Sequence, residues 1–445
     1  MKAGARVSAA GIPLSLALPT WIKVALLSFG GPAGQIGVMH RLLVEERKWV
    51  EEERFLHATS YCMLLPGPEA QQLATYLGWL LHGTRGGLVA GTLFILPGLV
   101  SILVLSVLYA QFRDATLIDA LFYGLKPAVM AVVIDALLRM GRRTLVGRPH
   151  VVLAAAAFVA IFSFQVPFPL IIVIAALLGT LGSRRIPVAT GAPVTPPVSG
   201  PMGIAPPSAG STIRTAVVWL ALWLVPIGLL AVLVGGDSVL VDEAVFFSKA
   251  AVVTFGGAYA VLSYVAQQAV EVHQWLAPGE MLDGLGMAET TPGPLIQVVQ
   301  FVGYMGAFRH PGGMSPATAG VAGSLVTAWV TFVPCFLFVF VGAPFAEQLR
   351  GRRGLEAALA AITAAIVGVI LNLAVWFSLH TLFADVAGFR FGPLRLLVPI
   401  WETVDWGSIA LAVGACVAML RYRVGMLTTL GAAAALGMGY SLLFR

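Results

Sequence analysis

Two Pro-Gly-Pro triplets, Pro66-Gly67-Pro68 and Pro292-Gly293-Pro294, interrupt apolar runs, and glutamines follow both: Gln71 and Gln72 after the first, Gln297 after the second. Two Phe-Gly-Gly triplets, Phe29-Gly30-Gly31 and Phe255-Gly256-Gly257, interrupt apolar runs further upstream. A helix that restarts after such a break presents free backbone N–H groups and the positive end of its dipole. That arrangement holds a tetrahedral oxyanion without a dedicated side chain, and a proline in the first turn has no N–H to leave unpaired. Lys23 and Lys249 stand six residues ahead of the Phe-Gly-Gly triplets, as candidate counter-charges to a dianion. Glu69 directly follows the first Pro-Gly-Pro. The dipole favours its anion, burial disfavours the charge, and a bound dianion repels it unless it is protonated. Such antagonism suits proton-for-anion exchange, and Glu289, three residues before Pro292, is the second candidate acid.

Each feature has a plainer reading beside the functional one. Pro-Gly-Pro also makes ordinary inter-helix turns, and paired glycines let helices pack closely. A lysine near a helix end snorkels to the interface, and a glutamate in a first turn caps it. Recurrence favours the functional reading of the breaks. Lys126 has Glu356 at the matching place in the second half, so it reads as structural. Asp135 and Asn372 are further polar residues in apolar surroundings, while His57 and His380 read as segment-end residues.

The elements that must position these residues follow from composition. The 445-residue chain is 58% hydrophobic and only 11% charged, against roughly 25% charged in soluble chains. Apolar runs near 20 residues recur from end to end, as in helices that span a bilayer. The expected fold is an all-α polytopic membrane protein. Its net charge of +6 is no nucleic-acid signal, because the basic residues sit in short loops between apolar runs. Cys62, Cys335 and Cys416 are too far apart in the sequence to suggest a disulfide framework or a thiolate metal site. Lys23 interrupts the first apolar run and no clear cleavage site follows, so that run reads as a membrane segment rather than a signal peptide.

The chain reads as one unit written twice. A Pro/Gly-rich linker at 184–213 separates residues 1–183 from residues 214–445, the latter opening with an extra connecting helix near 215–235. At a constant offset of 226, "KVALLSFGG" aligns with "KAAVVTFGG", Val44-Glu45 with Val270-Glu271, Trp49 with Trp275, the Pro-Gly-Pro triplets with each other, and Gln71 with Gln297. Counting segments places the halves in inverted orientation, an arrangement common among secondary transporters. The loop holding Arg41, Arg47, Lys48 and Arg54 obeys the positive-inside rule only if the breaks are tips of re-entrant hairpins. The apolar run before Pro66 starts only near Phe55, too short for a span. About 9–13 membrane segments result, with the linker cytoplasmic and the C-terminus outside. The helix pairs at 149–183 and 406–443 come out short.

The stretches "SFGGPAGQI", "LLPGPEAQQLATYLGW" and "GLKPAV" together resemble the chromate ion transporter family in its long two-domain form, over nearly the whole chain. The resemblance implies a multi-pass protein of the bacterial inner membrane that exports chromate, confers chromate resistance, and is driven by protons or membrane potential. A sulfate or other oxyanion permease is the alternative. Implied partners are the oxyanion, protons and the bilayer, with a homodimer left open and no nucleic acid. Members are expected to carry His where this chain has Gln35, so a role tied to that ring does not transfer. An enzyme is the rival class. The sequence has no metal-spaced His/Asp/Glu cluster, nucleophile elbow or phosphate-binding glycine loop, and no cofactor or metal site is expected.

Overall fold

The computed structural model describes residues 12–113, 115–182, 208–255, 257–343, 353–392 and 394–444. The expected linker at 184–207 and Gly256 therefore lie outside the described residues. Helix α1 (Leu14–Leu27) is followed by α2 (Gly31–His40), a π-turn over Arg41–Glu46, α3 (Glu52–Cys62), α4 (Glu69–Phe112), α5 (Thr116–Thr144), α6 (Arg148–Phe164) and α7 (Phe168–Leu181). The second half runs α8 (Ala209–Val234), α9 (Val239–Val253), α10 (Ala258–Gln267), a π-turn over Gln268–Val272, α11 (Glu280–Thr290), a 3₁₀ turn over Leu295–Gln297, α12 (Val298–Arg309), α13 (Pro316–Gly342) and α14 (Arg353–Leu382). Strands β1 (Val386–Phe391) and β2 (Leu394–Pro399) then form an antiparallel hairpin, and α15 (Trp406–Cys416) and α16 (Met426–Phe444) close the chain. Among the described residues, six helices are long and apolar enough to cross a membrane. The protein is thus a multi-pass helical membrane protein. The β-hairpin is an addition to the expected all-helical chain, and α8 starts at Ala209, inside the stretch expected to be linker.

The long α4 is two arms that reverse at His82 and Gly83. Gly83 takes φ +62°, ψ −156°, a conformation glycine adopts freely. The arms then lie side by side, because a Cβ on Gly78 would come within 2.4 Å of the Gly86 carbonyl oxygen. Only glycine permits that approach. Helix α12 and α13 repeat the arrangement: they reverse through Gly312 (φ +58°), and a Cβ on Gly323 would come within 2.4 Å of the Gly303 carbonyl oxygen.

The recurrence runs through the whole first half of each unit. Gly67 and Gly293 take φ +126° and +115°, Gly31 and Gly257 take +72° and +99°, and Lys48 and Gln274 take +54° and +55°. A π-turn precedes the last pair in both halves. The helices flanking the breaks are short, α1 with 14 residues and α3 and α11 with 11 each, well under the roughly 20 that span a bilayer. The second arm of α4 and α13 hold the same place in the two element orders. They pack antiparallel, with Gly87 against Phe340 and Gly91 against Phe336.

The core joins both halves, with Phe247, Val261, Ile296, Val299 and Phe301 among its buried side chains. By contrast α8 presents Leu220, Leu222, Leu224, Val225 and Leu229 outward. An apolar helix surface left uncovered by protein is what lipid solvates.

Candidate functional site

The four breaks meet in two pairs, each formed by one Phe-Gly-Gly and the opposite half's Pro-Gly-Pro. The backbone N–H of Gly67 donates to the carbonyl of Thr254 at 2.7 Å, and the N–H of Gly293 donates to the carbonyl of Ser28 at 2.9 Å. Gly67 and Gly293 occupy matching positions, as do Thr254 and Ser28, so the halves exchange the same bond. The hydroxyls repeat as well: Ser28 Oγ donates to the Val24 carbonyl and Thr254 Oγ1 to the Ala250 carbonyl, both at 2.6 Å. Each thereby satisfies a carbonyl of the helix turn before a break, which would otherwise be left without a partner.

Four helix starts project from these junctions, and no side chain caps any of them: α2 behind Gly30, α4 behind Pro68, α10 behind Gly257, and the Leu295–Gln297 turn behind Pro294. Their N–H groups and dipole ends remain available for an anion. Phe29, Pro66, Phe255 and Pro292 are half-buried, while Gly67, Pro68, Gly293 and Pro294 are buried. The two junctions abut: Ile296, just past Pro294, lines a void with Gly67, Pro68, Thr254 and Thr331. That void measures about 10 Å³, room for roughly one water. An oxyanion does not fit it.

The glutamines are buried completely or nearly so. Gln72 Nε2 donates to the Pro66 carbonyl at 2.7 Å, Gln71 Nε2 to Thr75 Oγ1 at 3.0 Å, and Gln297 Nε2 to the Ile95 carbonyl at 2.9 Å. The Oε1 atom of each lacks a partner. Unpaired buried acceptors are costly, and they sit one turn or less past each Pro-Gly-Pro. Gln35, at the position where family members are expected to carry His, donates Nε2 to the Gly293 carbonyl at 2.6 Å. It stitches one junction shut.

Glu69 opens α4 half-buried, with no hydrogen bond or ion pair among the described residues. Glu289 is buried and accepts the hydroxyl of Tyr259, with the Arg139 guanidinium acting on it; Arg139 pairs with Asp135 at 3.0 Å. The two candidate acids are thus in different surroundings. The lysines are a correction. Lys23 is 53% exposed and pairs with Glu46 at 3.6 Å, because the π-turn after α2 carries Glu46 alongside α1. Lys249 is exposed too. Neither is the buried counter-charge that its apolar neighbours in sequence suggested.

Sequence reasoning also passed over a buried charge network. Arg309 holds Glu280 through two bonds of 2.8 and 2.7 Å, Arg113 bonds the same carboxylate, and Lys126 pairs with Asp283 at 3.4 Å. Tyr109 donates to Asp283 at 2.8 Å. Glu280 and Asp283 stand one helical turn apart at the start of α11. That i, i+3 spacing was the available signal.

The model of the chromate transporter family matches residues 16–180 and 241–438. A chromate transport protein of Pseudomonas aeruginosa is 34% identical over 358 residues, covering 79% of this chain and 77% of that protein. A probable chromate transport protein of Synechococcus elongatus is 27% identical over 385 residues, covering 86% and 88%. A chromate transport protein of Cupriavidus metallidurans is 26% identical over 354 residues, covering 79% of each. No solved structure matches the chain. With a family model spanning both halves and a relative this similar over most of both lengths, the chain belongs to the chromate transporter family.

Proposed function

We propose that this protein is a secondary active transporter that exports chromate across the bacterial inner membrane, coupled to protons or to the membrane potential. The observation that carries this is the reciprocal pair of bonds, Gly67 to Thr254 and Gly293 to Ser28, which gathers four uncapped helix starts at one place. Helix starts bind oxyanions, and relatives named as chromate transport proteins supply the identity of the ion. The void between the junctions is too small for the ion, so the closed junctions belong to an occluded state and parting them on one side or the other gives alternating access.

The breaks serve as tips of re-entrant hairpins, and the halves sit inverted in the membrane. Short flanking helices support the first reading, and antiparallel packing of Gly87 and Gly91 on α13 supports the second. The ion is held by backbone N–H groups of the helix starts behind Gly30, Pro68, Gly257 and Pro294, with Gln71, Gln72 and Gln297 turning their amides toward it. Glu69 acts as the coupling acid, with Glu289 as its counterpart. Irregular backbone at membrane depth survives only where protein or water encloses it.

Flux in proteoliposomes under separately imposed pH and voltage gradients tests the proposal. Chromate movement driven by either gradient is expected. Movement of sulfate with no response to chromate would replace chromate as substrate, and movement of neither would end the reading.

A further inference from the structure

Helix α9 carries a carboxyl that the site above does not use. Glu243 is fully buried, and neither of its oxygens has a hydrogen-bond partner. It lies where α12 crosses α13: a Cβ on Gly306 would come within 2.6 Å of its Oε1, and a Cβ on Gly323 within 2.7 Å of its Oε2. Two glycines therefore make the room for one carboxyl. The backbone amide of Ala307 lies beside it.

Charged and titratable groups around it are few. Its own helix brings Asp242, the turn after α10 brings His273, and α12 brings Tyr304, Arg309 and His310, while α13 carries no acidic or basic residue. Arg309 is committed to Glu280 and to the Trp275 carbonyl. Glu243 forms no ion pair among the described residues. An ionised carboxylate with no counter-charge and only the Ala307 amide beside it costs far more inside a helix bundle than the neutral acid.

An open vestibule of about 940 Å³ lies beside it, lined by Asp242, His273, His310 and Trp275. The Trp275 ring also meets Gly306, the glycine against which Glu243 lies. On the other side of Glu243, unpaired buried oxygens lie on α13 at Ser324 and Thr327 and on α12 at Gln300 and Gln297, whose amides reach the α4 carbonyls of Leu99 and Ile95. Positions 300, 303 and 307 share one face of α12, and Thr327 packs on Gly303. At the start of α12, Gln297 Oε1 lies against Gly293 of the Pro292-Gly293-Pro294 break.

We propose that Glu243 is a proton-binding carboxyl, loaded from the vestibule and linked to the Pro-Gly-Pro junction along α12. The inference rests on the proton-coupled reading of transport. A proton taken from vestibule water neutralises the carboxylate, and its release toward the junction restores the charge. Infrared difference spectra of the purified full chain across a pH titration test it, together with chromate counterflow and pH-driven flux. Glu243→Gln should remove one protonated-carboxyl C=O band and reduce pH-driven flux by tenfold or more, while counterflow stays within about threefold of wild type. Glu243→Asp should keep a band at a shifted position and retain part of the driven flux, which separates loss of the proton site from loss of fold. An unchanged band, or wild-type pH-driven flux in Glu243→Gln, overturns the proposal. If the wild type shows no chromate counterflow, the transport reading fails, and the band alone then decides whether Glu243 holds a proton.

Discussion

At one junction Gly293 meets Ser28, and at the other Gly67 meets Thr254, through the same backbone bond. The side chains around them differ. Gln35 bonds the Gly293 carbonyl, whereas the matching Val261 forms part of an apolar wall beside Gly67. Glu69 follows one Pro-Gly-Pro and Leu295 the other. Further out, α3 carries Arg54 and His57 where α11 carries Glu280 and Asp283. Two copies of one backbone have thus kept what the breaks need and separated in charge. The backbone geometry is fixed by a demand common to both halves, which is to satisfy peptide groups away from water. The side chains are free to diverge.

The largest difference between the halves should appear in stability. Glu280 is buried between Arg113 and Arg309. Glu280→Gln removes the carboxylate that both guanidinium groups share and should cost about 3–5 kcal/mol. Its counterpart Arg54 is one-third exposed and pairs only loosely with Glu51 at 3.7 Å, so Arg54→Gln should cost under about 1 kcal/mol. Thermal unfolding of both variants in the same detergent checks this. Equal losses would mean the charge network is not what separates the halves.

The junctions come next. Gly67 and Gly293 both hold backbone angles that side chains resist, at roughly 1–3 kcal/mol. A Cβ on Gly293 would also press on the backbone of Gly98 at 3.2 Å and on Gln297 Oε1 at 2.6 Å. On Gly67 it would meet the side-chain ends of Gln72 at 2.8 Å and Cys335 at 3.0 Å. Side-chain ends can move, and backbone cannot. Gly293→Ala should therefore lower stability and chromate flux more than Gly67→Ala, and the opposite order would break the asymmetry drawn here.

A third effect changes the pH profile and leaves stability nearly untouched. If a protonated Glu69 admits the dianion, wild-type flux rises as pH falls on the loading side. Glu69→Gln keeps the neutral shape and should flatten that profile. Glu289→Gln should shift it less, since the Tyr259 hydroxyl and the Arg139 guanidinium already act on that acid. A wild-type profile in Glu69→Gln would leave Glu69 as a helix-start carboxylate only.

Much of this was legible in the sequence. The breaks, the duplication and the short helices around Pro-Gly-Pro follow from identities repeated at one offset and from residue types with strong backbone preferences. The pairing of each Phe-Gly-Gly with the opposite half's Pro-Gly-Pro was not legible, because it joins residues such as Ser28 and Gly293 whose separation no local pattern records. The β-hairpin around Gly392 was missed for another reason. Its strands alternate Phe389, Arg390, Phe391 and then Leu394, Arg395, Leu396, a period-two pattern too short to stand out between long helices. Glu243 escaped because an acid near a segment start reads as a boundary residue, and only the packing of Gly306 and Gly323 shows it enclosed.

Lys23 gives the smallest expected effect and tests how far apolar neighbours in sequence imply burial. Flanked by Ile22 and Val24, it reads in the sequence either as a counter-charge to the dianion or as a lysine that snorkels to the interface. The structure places it outside the junction, 53% exposed and 3.6 Å from a half-exposed Glu46. Exposed pairs of this kind contribute about 0–1 kcal/mol. Lys23→Met should therefore change stability by less than about 1 kcal/mol and chromate affinity by less than about threefold, since Coulomb attraction from a solvated ammonium is screened within roughly 10 Å. Lys249→Met, at the matching and also exposed position, should behave alike. Affinity measured at two salt concentrations provides the check. A tenfold loss that persists at high salt would show that the ammonium reaches the ion in the open state, and the lysines would then join the helix starts as part of the anion site.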